Sequence, residues 1–73
     1  MQRQAVESSM IRSVGYDPQH QILEIEFVKS GDVYQYRDVP QPVYQDLLTA
    51  TSHGQYFQAH IRGEYPYQKL PRH

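Results

Sequence analysis

Leu23-Glu24-Ile25-Glu26-Phe27 decides the fold. Leucine, isoleucine and phenylalanine alternate with two glutamates at a period of two, the signature of a strand with one buried and one wet face. Ile22 to Val28 therefore reads as a strand. On its N-terminal side, Asp17-Pro18-Gln19-His20 reads as a turn, because proline sets the backbone for position i+1. Before that turn, Met10 to Tyr16 reads as a strand with Val14 and Tyr16 on one face. On the other side, Lys29-Ser30-Gly31-Asp32 is a second hairpin loop, and Val33 to Arg37 a third strand. Two short hairpins force neighbouring antiparallel strands.

Helical character begins after Val39-Pro40-Gln41-Pro42. Proline is tolerated in a first helical turn, where its missing N–H would be unpaired anyway. Val43, Leu47 and Ala50, beside Tyr44 and Leu48, form an apolar stripe at helical spacing. Ser52-His53-Gly54-Gln55 has the form of a capping box and opens a second helix running to about Arg62, with His53, Phe57 and Ile61 on one line. Gly63 is placed to end it in the left-handed region. Tyr65 precedes Pro66 and is pushed out of the helical region, so Glu64 to Leu70 reads as an extended tail.

The expected fold is α+β: a three-stranded antiparallel β-meander, then two α-helices packed on one face (βββαα), with the tail extended. Residues 1–5 are expected to be a flexible N-terminus, 6–70 a single domain and 71–73 a flexible C-terminus.

A chain of 73 residues is small for a self-sufficient core, burying about 60% of its unfolded surface. It has no cysteine, so neither disulfides nor thiolate metal sites can staple it, and a reducing, cytoplasmic setting is expected. With 38% hydrophobic residues but seven tyrosines and two phenylalanines, phenol rings must supply much of the apolar area. Tyr16, Phe27, Tyr34, Tyr36, Tyr44 and Phe57 are the expected aromatic core. The phase of the third strand supports this. If Gln35 and Arg37 face water, Tyr34 and Tyr36 face the helices.

The net charge is −1, with basic and acidic residues scattered rather than clustered. That lacks the electrostatic footprint of strong nucleic-acid or anionic-membrane binding. No apolar stretch is long enough to span a membrane.

Val6-Glu7-Ser8-Ser9, Val14-Gly15-Tyr16-Asp17, Leu23-Glu24-Ile25-Glu26-Phe27, Tyr34-Gln35-Tyr36, Val39-Pro40, Val43-Tyr44, Leu47, Ala50, Ser52-His53-Gly54-Gln55-Tyr56-Phe57, Ile61-Arg62 and Tyr65-Pro66-Tyr67 occur in this order. Together they resemble the KTSC domain, named for its place at the C-terminus of some lysyl-tRNA synthetases. The resemblance covers about residues 6–70 and implies a small stand-alone protein of the bacterial or phage type. The family has no established activity; RNA binding is suggested by the synthetase context, and no catalytic residue is carried over.

The residues themselves point away from catalysis. No nucleophile elbow, P-loop or dinucleotide fingerprint is present. Ser52 is accounted for by capping, and Ser8 and Ser9 by local backbone bonds. Glu24 and Glu26 lie about 6.5–7 Å apart along one strand face, but paired carboxylates need a cleft. His53 and His60 sit two helical turns apart, about 10 Å, where zinc ligands on one helix usually sit three or four residues apart. No metal and no cofactor are expected.

The expected role is therefore a non-enzymatic interaction module and a monomer. Its candidate contact surface is the C-terminal helix and basic tail: Arg62, Tyr65, Tyr67, Lys69 and Arg72, with His53, Tyr56 and His60. RNA, bound weakly, is the partner the resemblance suggests. The rival is a protein-binding or self-associating module using an exposed edge strand, the first or the third. A small enzyme is the least favoured reading.

Overall fold

The computed structural model describes residues 2–71. It is α+β, with five antiparallel strands in the order β1-β2-β3-β4-β5 and two helices. The strands are β1 (Gln4–Ala5), β2 (Ile11–Asp17), β3 (Ile22–Phe27), β4 (Val33–Tyr36) and β5 (Tyr67–Lys69); the helices are α1 (Gln41–Thr49) and α2 (His53–His60). The expected three-stranded meander is its centre, β2-β3-β4. Two further strands correct the expectation. Gln4–Ala5, expected to be outside the domain, pairs with Val14 and Ser13 of β2. The expected extended tail is in part a strand: Tyr67, Gln68 and Lys69 pair with Tyr36, Gln35 and Tyr34. Arg37 N donates to Pro66 O and Leu70 N to Val33 O, which fastens both ends of β5. Both edges of the meander offered unpaired backbone groups, and the termini supply partners for them.

β2 carries a second departure from simple alternation. Ile11 pairs with Phe27 and Ser13 with Glu26, with a bulge between. The extra residue lets Ile11 and Val14, three apart, both point into the core, where each is fully buried.

One face of the sheet is apolar. Ile11, Val14, Leu23, Ile25 and Tyr36 meet Val39, Leu47, Phe57 and Ile61. Tyr34 and Tyr36 lie on this side. Tyr36 is 5% exposed, with its ring 5.6 Å from that of Phe57. Tyr16 stacks on Tyr44 at 4.9 Å, and its hydroxyl donates to Val39 O. Phe27 touches both Tyr34 and Phe57 edge-on. Each phenol thus contributes ring area, and each offset or edge-on pair adds about 0.5–1.5 kcal/mol beyond it.

The helix ends follow local chemistry. Ser52 Oγ accepts from Gln55 N and is the N-cap of α2. Gly63 adopts φ +80° beyond its end. The His53 imidazole lies 2.7 Å from Leu47 O, in the last turn of α1, and so ties the two helices together.

The opposite face is polar and closed by a chain of hydrogen bonds. Arg3 bonds Ser13 Oγ and the carboxylate of Glu24. Gln35 donates to Glu24 and Gln68 donates to Gln35. Ser13 donates to Glu26. The chain runs from the N-terminal segment to β5 across all the strands, and leaves Glu24 only 5% exposed. Gly15 makes this possible, because a Cβ there would lie 2.7 Å from Gln2 O and 3.1 Å from Arg3 Cγ.

Two outcomes are expected from this packing. Gly15→Ala must shift the backbone of Gln2 and Arg3 away from β2. It is expected to cost about 1–3 kcal/mol, read as a lower urea midpoint at unchanged slope. The Tyr36 hydroxyl is pushed up to about 12, first by burial and then by Tyr34 and Tyr67, against a lowering by Arg62. Its neutral form is therefore favoured in the folded state. That contribution is complete below pH 10 and is lost as pH rises toward 12, at up to about 1.4 kcal/mol per pH unit. Tyr36→Phe is expected to flatten this alkaline decline in urea titrations.

Candidate functional site

Pairing β5 on β4 brings Tyr67 to the Tyr34 and Tyr36 pair. Tyr67 lies 5.7 Å from Tyr34 and 5.6 Å from Tyr36, ring to ring. The Tyr34 and Tyr36 rings are 6.4 Å apart and nearly parallel. These rings line an open groove of roughly 470 Å³, completed by Met10, Phe27, Ser30, Phe57, Arg62 and Gly63. The cross-strand pairing Tyr36↔Tyr67 sets two rings on one face. Gly63, just past α2, turns the chain back toward the sheet beside Arg62. The rings differ in access: Tyr36 is buried, Tyr34 half-buried, and Tyr67 is 58% exposed. Arg62 lies close enough to Tyr36 to act on its hydroxyl. The groove therefore has an aromatic floor, one exposed ring at its rim and one guanidinium beside it.

The residues singled out in the sequence do not share one place, and Tyr65 packs partly buried against the core. Arg62 and Tyr67 are at the groove. Lys69 follows in β5, but its ammonium lies 3.4 Å from the Asp32 carboxylate. Tyr56 and His60 stack at 4.5 Å elsewhere on α2. Burial and then the Asp46 carboxylate raise the Tyr56 hydroxyl above its ordinary range, with a further push from Tyr65. His53 is engaged with the end of α1. Arg72 lies outside the described residues. Among the described residues, Arg62 is the cation that lines the groove.

Tyr34, Tyr36, Phe27 and Phe57, expected in the core, also line the groove, and Met10, Ser30 and Gly63, expected only as structural positions, complete it. One signal was available. Tyr67-Gln68-Lys69 repeats the alternation of Tyr34-Gln35-Tyr36, as a paired strand would.

A second cleft, of roughly 350 Å³, is lined by Ser8, Ser9, Thr51, Ser52 and their neighbours. Two of its hydroxyls serve the backbone. Ser8 Oγ accepts from Met10 N and Ile11 N, and Ser52 Oγ accepts from Gln55 N. Among the described residues no group of three or more histidines or carboxylates is placed to hold a metal ion. No helix among them is long and apolar enough to cross a membrane.

Comparison with known proteins places this geometry. A solved crystal structure of a KTSC domain protein from Yersinia pestis superposes with a TM-score of 0.92 at 43% identity, covering 96% of this chain and 97% of that one. An uncharacterised protein of Stutzerimonas stutzeri is 54% identical over 57 residues, 78% of this chain and 79% of its own length. A lysine–tRNA ligase of a Nostoc species is 42% identical over 64 residues, which is 88% of this chain but only 11% of the ligase. The family model for the KTSC domain matches residues 7–65, and the chain belongs to that family.

Proposed function

We propose that this KTSC domain is a non-catalytic interaction module of the bacterial cytoplasm whose contact surface is the tyrosine groove, and that it holds a short single-stranded RNA segment weakly. The supporting observation is the three-ring cluster of Tyr34, Tyr36 and Tyr67 with Arg62 beside it. Aromatic faces accept any base, and a guanidinium beside them suits a phosphate or a second stacking contact. Relatives in which the domain forms a small part of a lysine–tRNA ligase give RNA as the partner to test first.

Magnitudes bound the affinity. Each base stacked on an aromatic ring contributes about 1–3 kcal/mol by alanine substitution, and the exposure of the rings gives room for one base on Tyr67. One cation at the groove releases few counterions, so the salt dependence is shallow. Both effects point to a domain that adds to the grip of a larger assembly.

A fluorescence titration with a mixed single-stranded oligonucleotide and with tRNA, at two salt concentrations, tests this. Saturable binding at low salt is expected, with a slope of log K against log salt of about −1. Tyr67→Ala is expected to weaken it about tenfold, and Arg62→Ala to flatten the salt slope. Absence of saturable binding at low salt removes RNA as the partner.

A further inference from the structure

We propose that β5 is a pairing edge for a second copy of this chain, joined antiparallel about a two-fold axis at Gln68. The bonds that fasten β5 fix the direction of its backbone groups. Pro66 O and Leu70 N face β4. By the alternation of an antiparallel ladder, Gln68 also turns its N–H and C=O to β4, while Tyr67 and Lys69 turn theirs outward. All three side chains of β5 are exposed, and among the described residues no further strand pairs with its outer edge.

The edge is complementary to itself. With the axis at Gln68, Tyr67 exchanges both backbone hydrogen bonds with Lys69 of the second copy, and Lys69 does so with its Tyr67. On the helix side each Lys69 stem lies against a phenol ring, and no like charges stand opposite. On the polar side Gln68 faces Gln68. Lysine on an edge strand ordinarily guards against such pairing. Here the Lys69 ammonium is drawn to Asp32 of its own sheet at 3.4 Å, which weakens that guard. The pairing itself does not depend on RNA, so it stands or falls separately from the groove reading.

Sedimentation velocity on the full chain from about 10 μM to about 1 mM tests the proposal in the range expected for so small an interface. The weight-average mass is expected to rise from 8.6 kDa toward twice that value and no further. Lys69→Pro removes an outward N–H together with the ion pair to Asp32, and leaves the bonds from β5 to β4 in place. It is expected to keep the chain monomeric with an unchanged far-UV spectrum. A wild-type chain that stays monomeric throughout, a mass climbing past the dimer, or a folded Lys69→Pro variant that associates like wild type overturns the proposal. Should that variant fail to fold, amide exchange of the wild type decides. The Tyr67 and Lys69 amides are expected to slow at least threefold between the dilute and concentrated samples, and unchanged rates overturn it.

Discussion

Tyr36 wedged against Phe57 is the contact on which the rest of this small domain depends. The fully apolar part of the core is a handful of aliphatic side chains between one sheet face and two short helices. Leucine or isoleucine at position 36 would fill less of the gap beneath α2. The phenol ring fills it and carries its hydroxyl to the groove, where Tyr34, Tyr67 and Arg62 act on it. Ring packing here therefore has two consequences at once. It closes the core, and it creates the aromatic wall that makes the groove.

The polar face supplies what the core is too small to supply. Glu24 is a nearly buried carboxylate, and Arg3 is the cation on it. A buried charge stripped of its partner costs about 3–5 kcal/mol, a large part of the stability expected for a domain of this size. The pair, extended through Gln35 to Gln68, penalises any register in which β1 or β5 slips against its neighbour. A slip of β5 by one residue would put Gln68 on the apolar side and Tyr67 on the polar face. Short terminal strands with little apolar area are held by polar specificity.

The central strands and the helices were legible because their periods are strong. Leu23, Ile25 and Phe27 alternate with glutamates, and Ser52 and Gly63 mark the limits of α2 through capping and a left-handed turn. The edge strands were not legible for a physical reason. Gln4–Ala5 and Tyr67–Lys69 bury no side chain fully and have no hydrophobic period; pairing alone makes them strands. The bulge in β2 was hinted at by the spacing of Ile11 and Val14, which a regular strand cannot bury on one face. The site was half legible. Arg62 and Tyr67 were identified from composition near the tail, but Lys69 is held by Asp32, and His53, Tyr56 and His60 are held by contacts within and between the helices. Which cations remain available is decided by tertiary partners, and no local pattern reports that.

The C-terminal strand docks on β4 and sets Tyr67 beside Tyr34 and Tyr36. A solution NOE spectrum with the tyrosine rings assigned tests it most directly. Cross-peaks between the Tyr67 ring and the rings of Tyr34 and Tyr36, together with a Tyr36–Phe57 contact, are the predicted result. A Tyr67 ring with sequential contacts alone, beside an intact Tyr36–Phe57 contact, would mean that the tail is undocked and that the groove does not exist in solution.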